Sequence, residues 1–128
     1  MMHFPRRRVL RGDCLNVLAK LPAGIARLAY MDPPFNTRKT WRTADGSLAY
    51  EDKHRAYREY LLPRVAATLR CLSDDGSLFV QLDYRHVHEV KVALDGLLGR
   101  EHFKNEIIWA YDFGGRSRHR WPAKHQSI

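Results

Sequence analysis

Apolar residues fall along the chain in short alternating blocks of two kinds. One kind has helical spacing: positions 14, 15, 17, 18 and 21 in Cys14–Lys20, positions 57, 60, 61, 65, 66, 69 and 72 in Lys53–Leu72, and positions 87, 90, 94, 97 and 98 in Val87–Leu98. The other kind is a compact run too short for a typical helix: Arg8–Arg11, Ile25–Met31, Ser77–Leu82 and the β-branched and aromatic stretch Glu106–Tyr111. Pro63 is expected to kink the second helix or to start a new one. Leu21-Pro22-Ala23-Gly24 closes the first helix, Ser73-Asp74-Asp75-Gly76 is turn chemistry, and Asn36 to Asp52 reads as a polar loop. Short strands alternating with amphipathic helices predict an α/β fold with a mostly parallel sheet.

Composition changes this picture little. At 128 residues the chain is large enough for one domain, and 45% hydrophobic with 28% charged residues is an ordinary globular balance. No apolar run approaches the roughly 18 residues needed to span a bilayer, and Arg6, Arg7, Arg8 and Arg11 lead into polar Gly12-Asp13 without a signal-peptide core. The expectation is a cytoplasmic protein with no membrane partner. Cys14 and Cys71 match neither a disulfide framework nor zinc spacing, so free thiols are expected.

Charge changes it more. Lys plus Arg is 22 against 14 Asp plus Glu, a net +8 that suits a polyanionic partner. Arg38, Lys39 and Arg42 surround Trp41 with no acid nearby, and after Asp112 the chain carries Arg116, Arg118, Arg120 and Lys124, again without an acid. Both stretches are candidate phosphate contacts; a solvated basic surface is the plainer alternative.

Ligands of open α/β sheets sit beyond the carboxyl ends of strands, where this chain has Gly12-Asp13 and Asp32-Pro33-Pro34-Phe35-Asn36. Two prolines fix φ near about −65° and push the preceding residue out of the helical region, so the second string is a rigid elbow. It holds the Asp32 carboxylate, the Pro33 carbonyl and the Phe35 ring in fixed relation. Two acceptors beside an aromatic face fit a planar group with an amino substituent, and acceptors gripping the amino hydrogens would make that nitrogen a better nucleophile. The plainer alternative is an Asp-Pro turn with Phe35 in the core.

The runs Gly12-Asp13-Cys14-Leu15, Leu28 to Thr37, Gly76 to Asp83, Phe103 to Trp109 and Lys124-His125 together resemble the DNA amino-methyltransferases of the permuted β group, which include the modification subunits of restriction systems. The resemblance implies a Rossmann-like methyltransferase fold with S-adenosylmethionine as cofactor. It implies an adenine amino group in double-stranded DNA as substrate, flipped out of the helix. Carried onto this sequence, Asp32, Pro33, Pro34 and Phe35 form the catalytic motif; Asp32 and the Pro33 carbonyl accept amino hydrogens and Phe35 stacks on the base. Asp13, Cys14 and Asp32 fall at the cofactor, Asp13 on its adenine ring. Lys124 and His125 fall near the target base.

In the permuted order a target-recognition region and a Gly-rich cofactor loop follow the segment holding Lys124-His125, and residues 1–128 contain neither. The expected unit is therefore a single partial catalytic domain, incomplete at the C-terminus. It would be a truncated or split enzyme inactive alone, completed by a second chain or joined by a restriction subunit. A non-catalytic basic DNA-binding remnant, and an amino-methyltransferase acting on cytosine or RNA, remain as alternatives. His86-x-His88 beside Glu89 has a spacing that puts the rings on different faces, so no metal site is expected. Asp83 ends a strand on the same side as Asp32 and matches a family Asp, with capping of the next helix as the alternative.

Overall fold

The structure, a computed structural model, describes residues 7–128, apart from the side chains of residues 49–51; Arg6 lies outside the described residues. In chain order the elements are α1 (Cys14–Leu18), β1 (Ala26–Met31), β2 (Thr40–Arg42), β3 (Leu48–Glu51), α2 (Tyr57–Cys71), β4 (Leu72–Val80), α3 (Val87–Leu98), a single turn of 3₁₀ helix (Arg100–His102), β5 (Ile108–Ala110) and β6 (His125–Ser127). The fold is mixed α/β. β1 and β4 form the expected parallel pair, whereas β2–β3 and β5–β6 are antiparallel. An antiparallel bridge between Leu82 and Ser127 ties β6 to the chain just past β4.

Four local expectations are corrected. Arg8–Arg11 forms no strand, because no described residue pairs with it and Val9 is 97% exposed. The polar stretch from Asn36 to Asp52 contains the β2–β3 hairpin, closed by Thr43, Asp45, Gly46 and Ser47. Pro63 neither ends nor restarts α2, which runs unbroken through it. An interior proline costs about 3 kcal/mol, but Leu61 and Val65 on either side are both fully buried, at 0% exposure, and their packing holds the helix together. Ser73–Gly76 lies within β4, where the register against β1 jumps from Ala26↔Leu72 to Leu28↔Ser77 and leaves Asp74 and Asp75 bulged into solvent. A Cβ at Gly76 would sit 2.9 Å from the Ser73 carbonyl oxygen, so the bulge needs that glycine.

The hydrophobic core lies between α2, α3 and one face of the parallel pair: Tyr57, Leu61, Val65, Leu82 and Val90, with Met31, Leu78 and Val80 against them. The strand period sends alternate residues to the other face, where Leu28 and Tyr30 are 60% and 50% exposed and Tyr30 stacks on Phe79. Cys14 is exposed, Cys71 is buried, and both are free. No helix among the described residues is long and apolar enough to cross a membrane.

Candidate active site

A cleft of about 540 Å³ opens at the carboxyl end of β1. Its walls bring together the two sequence-distant strings: Gly12, Asp13 and Cys14 from the start of α1, and Asp32, Pro33 and Pro34 from the elbow, with Tyr60 and Arg64 of α2 alongside. Phe35, half-buried, is not among the walls, and neither Lys124 nor His125 lines the cleft.

Asp13 is committed on both oxygens. Oδ1 accepts from the Leu15 amide at 2.9 Å and caps α1, and Oδ2 accepts from Arg64 Nη2 at 2.9 Å. The Arg64 hydrogen bond, followed by the Leu15 amide, holds the Asp13 carboxyl below its ordinary pKa. Arg64 also donates to the Tyr60 carbonyl at 2.8 Å and lies over the Tyr60 ring at 3.9 Å, so one arginine joins the α1 start to the cleft wall. Asp32 behaves oppositely. It reaches solvent, yet partial burial of its carboxyl raises its pKa.

The segment after the elbow is held by a residue the sequence did not single out. Asp52, 1% exposed, accepts from the Asn36 amide at 2.7 Å, the Thr37 amide at 2.8 Å and the Thr37 hydroxyl at 2.6 Å. Burial raises the Asp52 pKa, but the Thr37 and Asn36 donors outweigh it and the net shift is downward. Asn36 has φ +56°, a left-handed conformation that asparagine tolerates better than most residues. Its Oδ1 accepts from the His54 amide at 2.8 Å, and its Nδ2 donates to the His54 carbonyl at 3.0 Å and faces His86 Nε2 at 3.1 Å. The amide orientation is thereby decided, and His86 must accept at Nε2 and carry its proton on Nδ1, toward Glu89 Oε1. These contacts occupy both the amide and the carbonyl of His54, and α2 begins at Tyr57, not at Lys53. Tyr57 stacks on His86 at 4.3 Å and His54 on Tyr60 at 3.8 Å. Burial raises the Tyr57 pKa. Asp83 accepts from the Arg85 amide at 2.9 Å and pairs with the Arg85 guanidinium, turning the chain into α3.

The basic residues divide into two groups. Arg38 and Lys39 are exposed in the irregular segment that leads into β2, Lys39 lies 5.9 Å over Trp41, and Arg42 donates to the Gly46 carbonyl at 3.0 Å. Arg116, Arg118 and Arg120 lie in the loop joining β5 to β6, where Arg120 donates to the Tyr84 hydroxyl at 2.5 Å. Lys124 is drawn inward: its Nζ donates to the carbonyls of Asp112, Phe113 and Gly114 at 2.7, 2.9 and 3.2 Å and closes that loop. His125 opens β6 opposite Ala110. Among the described residues no three His, Cys, Asp or Glu side chains gather as a metal site.

Residues 26–128 match the family model described as DNA methylase. The chain belongs to that family. This methylase segment is 34% identical over 84 residues to the type II methyltransferase M.EcaI of Enterobacter cloacae, covering 64% of this chain and 19% of that protein. It is 31% identical over 114 residues to the probable type III restriction-modification enzyme HindVI Mod subunit of Haemophilus influenzae, covering 85% of this chain and 14% of that protein. It is 28% identical over 109 residues to the DNA adenine methyltransferase YhdJ of Escherichia coli, covering 85% of this chain and 35% of that protein. The methylase segment thus spans between 14% and 35% of the length of these relatives.

Proposed function

We propose that this chain forms the base-handling side of an S-adenosylmethionine-dependent methyltransferase acting on the adenine amino group of double-stranded DNA. The observation that carries the reading is the cleft that joins Asp13 and Cys14 to Asp32, Pro33 and Pro34. Its volume lies within the range of about 300–1,000 Å³ usual for small-molecule sites. Its lining suits the cofactor's adenosine part, with the remaining lone pairs of the Asp13 carboxylate to accept amino hydrogens of the base and apolar Leu10, Val17 and Leu18 for its faces. When bound, S-adenosylmethionine supplies an electrophilic methyl group on a sulfonium.

The chain's own groups then do three things. Asp32 and the Pro33 carbonyl accept the hydrogens of the target amino group and orient its nitrogen toward the methyl donor. The raised pKa of Asp32 makes its ionised form the better acceptor for the proton that nitrogen must lose. Phe35 stacks on the extruded base, and Arg38, Lys39 and the β5–β6 loop arginines contact phosphates. The partners in this reading are the remaining segment of the enzyme, in the same polypeptide or a second chain, and a restriction subunit such as a type III Mod protein serves.

Calorimetry with S-adenosylmethionine, followed by incubation of the chain together with the remaining segment of the enzyme, labelled cofactor and duplex DNA, tests the proposal. The expected result is label on adenine that Asp32→Ala abolishes. Label that persists in Asp32→Ala, or label on cytosine, overturns the assignment. DNA binding with no cofactor binding replaces it with the non-catalytic reading.

A further inference from the structure

We infer that Asp52 is a positioning residue for the target-base step, acting through Asn36 and Thr37 on Phe35; this rests on the function proposed above. A buried carboxylate is costly, so it persists where several donors point at it. The hairpin does not need this side chain, because the Asp52 backbone already pairs with it: Arg38 N donates to Asp52 O at 2.7 Å and Asp52 N to Lys39 O at 2.9 Å. All three side-chain hydrogen bonds go instead to Asn36 and Thr37, the two residues after the elbow. Two left-handed residues, Asn36 at φ +56° and Arg38 at φ +62°, lie within this short stretch, and such a backbone stays in place only when its surroundings over-determine it.

The geometry explains what is being positioned. The Asn36 amide belongs to the peptide plane that begins at Phe35, so gripping it at 2.7 Å sets the ψ angle of Phe35. The Pro34 ring fixes φ one residue earlier. Phe35 is therefore clamped from both sides, by proline chemistry before it and by Asp52 after it. Asp52 is not among the walls of the cleft, which makes its effect indirect. Its backbone also pairs with Arg38 and Lys39 where the chain enters the hairpin, so one residue ties the elbow to the hairpin root.

A graded series on the full chain tests this. Thr37→Val removes one donor, Asp52→Asn turns an amide toward the Thr37 N–H, and Asp52→Ala removes every acceptor. Amide hydrogen exchange at Asn36 and Thr37 is expected to quicken in that order, by about tenfold or more in Asp52→Ala, while core amides such as those of Leu61 and Val65 keep their protection. In single-turnover methyl transfer from S-adenosylmethionine to duplex DNA, with the remaining segment of the enzyme supplied, the rate is expected to fall about tenfold or more in Asp52→Asn with cofactor affinity within about twofold of wild type. Unchanged exchange at Asn36 and Thr37 overturns the inference, as does equal loss of rate, cofactor affinity and core protection, which would mark a merely structural residue. Failure of the wild-type chain, supplied with the remaining segment of the enzyme, to transfer methyl groups counts against the proposed function, and the exchange arm still decides the role of Asp52.

Discussion

Asn36→Ala tests the clasp that holds the chain behind the elbow. The change deletes the two hydrogen bonds that clasp the His54 backbone, at 2.8 and 3.0 Å, and the contact with His86 at 3.1 Å. A net hydrogen bond contributes about 0.5–1.5 kcal/mol, and stranding a buried partner costs about 1–3 kcal/mol, so losing the clasp costs about 2–3 kcal/mol. Alanine at φ +56° adds left-handed strain of about 1 kcal/mol. The expected loss of about 3–4 kcal/mol is a large share of the roughly 5–15 kcal/mol that stabilises a typical domain. Asn36→Gly loses the same clasp without the strain. After its greater unfolded-state entropy is counted, it should be more stable than Asn36→Ala by about 0.5–1 kcal/mol. Urea unfolding of the three proteins, followed by far-ultraviolet circular dichroism, measures both differences. If Asn36→Ala lies within about 0.5 kcal/mol of wild type, or if the glycine variant is no more stable than the alanine one, the reasoning about the clasp or the strain is wrong.

Other expectations follow from single groups. The Asp32 carboxyl has its pKa raised by burial, so its contribution favours folding in the protonated form, is present below the unfolded value near 3.8 and is lost as pH rises through the folded one. Asp32→Asn should therefore raise Tm at neutral pH, with the gain fading toward pH ~3; a gain independent of pH would contradict this. Asp45, hydrogen-bonded by the Thr43 hydroxyl and the Ser47 amide in the β2–β3 turn, has its pKa lowered to about 2. A carboxyl carbon titration by NMR should show that midpoint, and Thr43→Val should move it back toward 3.8; no movement would place the cause elsewhere. The Tyr57 hydroxyl is buried and has no hydrogen-bond partner among the described residues, so Tyr57→Phe should leave stability unchanged or raise it by up to about 1 kcal/mol in thermal unfolding. A clear loss would mean that the hydroxyl is bonded.

The elements that hydrophobic period could reveal were those whose core contacts run along one face: α2 through Leu61 and Val65, α3 through Val90, and the parallel pair through Met31 and Val80. The elbow was legible because its chemistry is local, two prolines after an apolar strand. The hairpin was not. Trp41 of β2 and Leu48 of β3 are 44% and 57% exposed, and the turn between the strands is held by side-chain hydrogen bonds that leave no periodic trace. Asp52 was equally silent, one acid in a polar stretch whose partners lie fifteen or so positions away and meet it only after the hairpin folds. The ion pair of Arg64 with Asp13 spans from α2 to α1 and has no sequence signature either. At the other face, Leu28 and Tyr30 alternate as a buried strand would, yet they stand open to solvent. The total accessible surface of 10357 Å² exceeds the roughly 7,000 Å² expected of a compact protein of 15.0 kDa.

The capture of Lys124 by three carbonyls alters how the charge of this chain should be counted. A cation contributes to DNA affinity by displacing the small ions condensed on phosphate, and each phosphate neutralised adds about 0.9 to the steepness with which affinity falls as salt rises. A lysine already holding a loop together releases no such ions unless it first abandons that loop. The salt dependence of DNA binding should therefore report the arginines and Lys39 that face solvent, and Lys124→Ala should loosen the β5–β6 loop while leaving that slope where it was.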